Sequence, residues 1–105
     1  MQVIHSMPIF KNQLQSNETE LIGHKQFRNE KMEADENLLR INWLISSVLE
    51  KIAVSKEYGD WEVLYRDLND GRYWEKTFDN SEEHGGGTPK LVWLSENEAR
   101  KKYTL

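Results

Sequence analysis

Four stretches of this 105-residue chain carry side chains able to do chemistry. His84-Gly85-Gly86-Gly87 resembles an oxyanion loop, in which successive backbone N–H groups would stabilise a tetrahedral intermediate. A triglycine run can also form an anion-binding nest. The sequence has no Gly-x-Ser-x-Gly elbow and no Gly-Lys-Ser/Thr after the glycines, so acyl transfer and nucleotide-phosphate binding lose their partners. The plain alternative is a tight turn that uses glycine's freedom at positive φ. Glu62 and Glu75 form the second group. Two carboxylates facing each other with separated proton affinities could serve as general acid and base, and with His84 would make a small hydrolase or nuclease. The alternative is ion pairing across strands, with Arg66 and Arg72 as partners. Asp79, Glu82, Glu83 and His84 crowd one loop and could hold a metal ion, or simply be solvated. His5 and His24 show no ligand spacing. The fourth stretch is residues 57–83, with nine acids against three bases. Trp61, Tyr65, Tyr73 and Trp74 are interleaved there, a composition suited to docking a basic protein.

The elements that would position these groups follow from periodicity. Leu38, Ile41, Leu44, Ile45, Val48, Leu49 and Ile52 recur every three or four residues and predict a helix over 36–53, with Asp35 as its N-cap. Leu39 and Trp43 fall on the opposite side of that helix. They are either covered by the N-terminal segment or a curved sheet, or left as an aromatic anchor for a partner. Residues 61–66 and 72–78 predict two strands joined by a turn at Asp67-Leu68-Asn69-Asp70-Gly71; Leu64 breaks the alternation of the first. A hairpin turning near Asn29-Glu30 is predicted within 20–33. Residues 79–89 read as a loop and 90–94 as a short buried strand. Ser95-Glu96-Asn97-Glu98 forms a capping box opening a helix over 96–102. Met7–Phe10 suits an extended edge segment, and residues 1–15 an arm. The expected architecture is α+β: one main amphipathic helix on a small antiparallel sheet, with a short C-terminal helix, all in a single domain 1–105.

Composition narrows the function classes. The net charge of −4 argues against a general nucleic-acid binder, since phosphate affinity comes from excess Lys and Arg. With no cysteine, disulfide scaffolds, thiol nucleophiles and cysteine-ligated zinc are excluded. No apolar run is long enough for a membrane span and the start lacks a signal-peptide pattern, so a cytoplasmic protein without cofactor or metal is expected.

Tyr65-Arg66-Asp67, Asp70-Gly71-Arg72-Tyr73-Trp74-Glu75, Ser81-Glu82 and His84-Gly85-Gly86-Gly87 with Pro89 and Leu91 resemble the immunity protein 27 family. The likeness extends back to Glu20-Leu21-Ile22-Gly23 and Arg40-Ile41-Asn42-Trp43-Leu44, and on to Ala99 and Tyr103. Leu68 and Asp79 stand where the family pattern has proline. The resemblance implies a non-enzymatic inhibitor that binds one cognate toxin domain of a bacterial polymorphic-toxin or contact-dependent inhibition system. That domain would be basic, most commonly a nuclease, and blocked at its active site or substrate access; the free inhibitor is expected to be monomeric. It further implies that the shared Gly71, Trp74, Gly85, Gly86 and Gly87 hold the scaffold. The contact residues expected from charge are Asp67, Asp70, Glu75, Asp79, Glu82 and Glu83, with Trp43 as an outlying anchor.

Overall fold

A computed structural model describes residues 13–78 and 88–105. In chain order the elements are β1 (Glu20–Ile22), β2 (Lys25–Arg28), β3 (Lys31–Ala34), α1 (Glu36–Ser47), β4 (Leu49–Ser55), β5 (Gly59–Asp67), β6 (Tyr73–Phe78), β7 (Pro89–Leu94) and α2 (Glu96–Tyr103). Strands β4 to β7 form an antiparallel meander, and β1 joins its far edge beside β7. The expected α+β architecture, with its main helix, antiparallel sheet and short terminal helix, is what the structure shows.

Asp35 caps α1 as expected: its carboxylate accepts the Leu38 N–H at 2.8 Å. The helix, however, ends at Ser47 rather than running to residue 53. Two serines close it, both weak helix formers, and Ser46 Oγ turns back to the Trp43 carbonyl at 3.1 Å. Val48 then leaves helical geometry and the chain reverses into β4. Leu49 and Ile52 fit the helical spacing but are used in a strand, because pairing with β5 satisfies the backbone while Leu49 still reaches the core.

The predicted turn at Asn29-Glu30 is present, with φ of 53° and 64°. Two left-handed residues are what a two-residue hairpin requires to match strand twist. Strands β2 and β3 form a separate two-stranded sheet, while β1 leaves them for the main sheet.

Alternation along β5 and β6 sends side chains to two covered faces. On one, Val63, Tyr65, Trp74 and Leu91 pack under Ile41 and Leu44 of α1, with Leu14, Leu21 and Leu49 around them. On the other, Leu64 is buried by Ala99 and Tyr103 of α2, with Ile52, Ala53, Tyr73 and Leu94 alongside. Leu64 thus breaks a one-sided pattern because the sheet is buried on both sides. The α2 capping box is present in both directions, Ser95 Oγ accepting from Glu98 N and Glu98 Oε1 from Ser95 N.

The β5–β6 connection closes through Gly71, whose φ is +79°. Its N–H bonds the Asp67 carbonyl at 2.7 Å, and Asp67 N–H bonds the Arg72 carbonyl at 2.8 Å. A Cβ on Gly71 would meet nothing nearer than Arg66 Nη2 at 3.5 Å, so the constraint there is backbone conformation alone. Gly71→Ala is expected to cost about 1–2 kcal/mol in urea unfolding, the left-handed penalty for a side chain, and Gly71→Asn less.

Candidate functional site

The stretch Asp70–Glu75 works as a clamp. Arg72 donates to Asp70 Oδ2 at 2.8 Å and to the carbonyls of Glu18 and Gln15, each at 2.9 Å. Its guanidinium lies 4.9 Å from the ring centre of Trp74. The β5–β6 turn is thereby fastened to the segment before β1. Arg40 of α1 fastens the same segment from the other side, with two bonds to the Glu18 carboxylate at 2.9 and 2.7 Å and one to the Gln13 carbonyl. Hydrogen bonding from Arg40 outweighs the opposing effect of burial and holds Glu18 below the usual carboxylate range.

Under α2 the sheet carries a mixed-charge cluster. Glu75 is opposite Leu64 on β5, and Glu62 lies one pleat further along the same face. Lys102 Nζ stands 2.7 Å from Glu75 Oε2 and 3.1 Å from Glu62 Oε2. Tyr103 donates its hydroxyl to Glu75 Oε2 at 2.6 Å. Burial first, then this bond, drives the Tyr103 hydroxyl well above the ordinary tyrosine range. Burial disfavours the Lys102 charge, yet the two carboxylates outweigh it and raise its proton affinity. The two glutamates named from sequence do converge, but their shared partner is Lys102. Arg66 instead lies over Tyr73 and donates to Gly71 O, and Arg72 serves the turn. The substitution of one cation for another follows from α2 folding back over this face, which strand spacing alone does not reveal. His84, the third group of that constellation, and the Gly85-Gly86-Gly87 run lie outside the described residues.

The acidic segment is divided between the two ends of the sheet. At the end holding the β5–β6 turn, Asp67 is 1% exposed and its carboxylate accepts the Asn69 N–H at 2.8 Å. Burial raises its proton affinity, with the backbone bond opposing. Asp70 is exposed beside Arg72. Trp43 packs partly against the core and, with Gln13, Leu68 and Asn69, lines a hollow of ≈ 340 Å³. Leu39 is exposed. Glu75 is buried in the middle of the sheet. Asp79, Glu82 and Glu83 lie outside the described residues. Among the expected contact residues that are described, Asp70 and Trp43 therefore reach the surface, whereas Asp67 and Glu75 are internal supports.

At the opposite end, the β4–β5 turn and the last residues of β6 enclose a cleft of ≈ 480 Å³ lined by Tyr58, Trp61, Glu62, Thr77 and Phe78. Trp61 and Phe78 meet edge to face, 5.0 Å between ring centres and 80° between planes. Trp61 is 50% and Tyr58 55% exposed. Of the four aromatics interleaved with acids in the sequence, Tyr65 and Trp74 are core and Tyr73 is half-buried, so Trp61 alone is broadly presented. Sequence reading missed Tyr58 and Phe78 as surface residues. Extending the helix to residue 53 hid β4, and with it the turn that carries Tyr58. The β2–β3 hairpin, predicted from the sequence, adds a second apolar surface: its paired Phe27 and Met32 are both exposed.

Among the described residues no group of His, Asp and Glu is arranged to hold a metal ion, and no helix is long and apolar enough to cross a membrane. The family model for immunity protein 27 matches residues 27–95. No curated protein and no solved structure matches the chain.

Proposed function

Since the chain belongs to the immunity protein 27 family, we propose that it binds and neutralises a cognate toxin domain in the cytoplasm. On this reading the toxin is a basic domain, most simply a nuclease, and the chain blocks its active site or its access to substrate without turning over a substrate itself. The observation that carries the reading is the family match over residues 27–95. Two structural features support it. The Asp70–Glu75 stretch is engaged in holding the fold through Arg72, Trp74 and Glu75, which suits a scaffold shared by inhibitors of different toxins. The Glu62–Glu75 pair is occupied by Lys102 and Tyr103, which fits a structural role better than acid–base work.

Asp70, Asp79, Glu82, Glu83 and Trp43 are the proposed contact residues, whereas Asp67 and Glu75 are buried. Carboxylates facing a basic partner act mainly on the rate of encounter. The free protein is proposed to be a monomer. Its partner is sought as the toxin domain encoded beside it. Co-production should restore growth of cells making that domain, and the association rate should fall as salt rises. Changing Asp70, Glu82 and Glu83 together to lysine should slow association about tenfold or more at low salt. Absence of protection, or substrate turnover by the purified chain, would overturn the reading; unchanged low-salt association would remove its electrostatic part.

A further inference from the structure

The cleft at the β4–β5 end of the sheet has the chemistry of a cation site. It is lined by the aromatic residues Tyr58, Trp61 and Phe78 together with Glu62 and Thr77. Aromatic faces are electronegative and attract cations, tryptophan most strongly. Trp61 and Phe78 meet there as an edge-to-face corner.

Around Glu62 itself, two carboxylates meet one ammonium: Glu62 and Glu75 share that of Lys102. Glu62 Oε1 is buried without a hydrogen-bond partner among the described residues. A buried acceptor left unpaired is costly, and a donor brought by a partner would relieve it after a small side-chain shift. Burial lowers the proton affinity of Lys76, with Asp60, next to Trp61 in the chain, opposing this and Lys51 adding to it. Lys76 Nζ also lies 5.3 Å from the ring centre of Phe78. Glu57 bonds the Tyr58 hydroxyl and raises its proton affinity.

We propose that this cleft receives one arginine side chain of the toxin partner, its guanidinium stacked on Trp61 and Tyr58 and hydrogen-bonded to Glu62. Arginine fits better than lysine because a flat guanidinium stacks on an aromatic face while its edge still donates to a carboxylate. This inference rests on the toxin-binding reading and deepens it by placing a buried anchor where interface energy concentrates, in an aromatic pocket. It adds Tyr58, Trp61, Glu62 and Phe78 to the contact surface, at the end of the sheet opposite Asp70 and Trp43.

Two measurements test it on the full chain. The first is titration with N-acetyl-arginine amide, followed by the Trp61 indole N–H resonance, with the neutral isostere N-acetyl-citrulline amide as control. The arginine derivative should shift that resonance saturably. Trp61→Ala removes this reporter, so Glu62→Gln and Tyr58→Ala serve as the variants here, and each should weaken binding at least about tenfold. The second is toxin affinity: Trp61→Ala and Glu62→Gln should each lose about thirtyfold, the cost typical of an interface hot spot. Unfolding curves establish that both variants are folded, as expected for an exposed indole and an isosteric amide.

Equal shifts from the arginine and citrulline amides overturn the proposal. So does unchanged toxin affinity in both variants, and in that case toxin neutralisation by the wild-type chain would still stand. If the wild-type chain binds no toxin, the parent reading fails, and the amide titration alone decides whether the cleft takes a guanidinium.

Discussion

Trp74→Ala is expected to lower the free energy of unfolding by about 3–5 kcal/mol, the usual loss when a large aromatic is removed from a core. Trp74 is fully buried at the centre of the sheet, between Tyr65 on β5 and Trp93 on β7. It supports Ile41 and Leu44 of α1 above it and the Arg72 guanidinium beside it. A small domain has only about 5–15 kcal/mol in total, so this one change takes a large share of it. Each kcal/mol is worth roughly 4–8 °C in a domain of this size, and thermal melting should fall accordingly. Trp74→Phe separates shape from polarity. Its indole N–H has no hydrogen-bond partner among the described residues, so phenylalanine gives up volume and little else. The expected loss is under about 2 kcal/mol. An alanine variant as stable as wild type would show that Arg72 and Trp74 do not form the centre of the fold.

The second large effect is expected beneath α2. Glu75→Ala leaves the buried Tyr103 hydroxyl without its acceptor and Lys102 with one carboxylate in place of two. Loss of a buried acceptor together with a charged partner costs about 2–3 kcal/mol. The cycle with Tyr103→Phe is the sharper measurement. Alone, Tyr103→Phe should cost about 1–2 kcal/mol through the lost charge-assisted bond; once Glu75 is alanine it should cost little, since the bond is already gone. Additive losses in urea unfolding would mean that the 2.6 Å bond does not hold α2 to the sheet. The same variants bear on the acid–base alternative, because the second carboxylate of any such pair is removed. Should the chain hydrolyse a substrate, Glu75→Gln would abolish the turnover while sparing most of the stability.

Local signals in this chain were strong where one residue type has one physical use. Asp35 before an apolar run, the reciprocal Ser95–Glu98 pair and Asp70-Gly71 between β-rich segments each reflect backbone groups that need a particular partner or a particular φ. Such needs are met within a few residues, so they are legible without the fold. The helix boundary was misjudged for the opposite reason. Leu49 and Ile52 satisfy a helical spacing and a strand alike, and the choice was made by β5, which pairs with β4 and sets Asp67 opposite Leu49. Leu64 looked like a fault in a strand until α2 supplied the second layer.

The candidate site follows the same division. Carboxylates and aromatics were visible as residue types, and their concentration in 57–83 was plain. Their exposure was not. Asp67 and Glu75 were drawn inward by a turn and by Lys102, while Tyr58 and Phe78, unremarkable in the sequence, came together with Trp61 across the end of the sheet. From the order of its residues alone the chain determines its caps, its turns, its α+β class and the motif that places it in its family. Only the tertiary structure decides which acids are buried, which lysine answers them and which rings face solvent. Exposure and pairing depend on neighbours far away in the chain, and no local preference of a side chain can specify those.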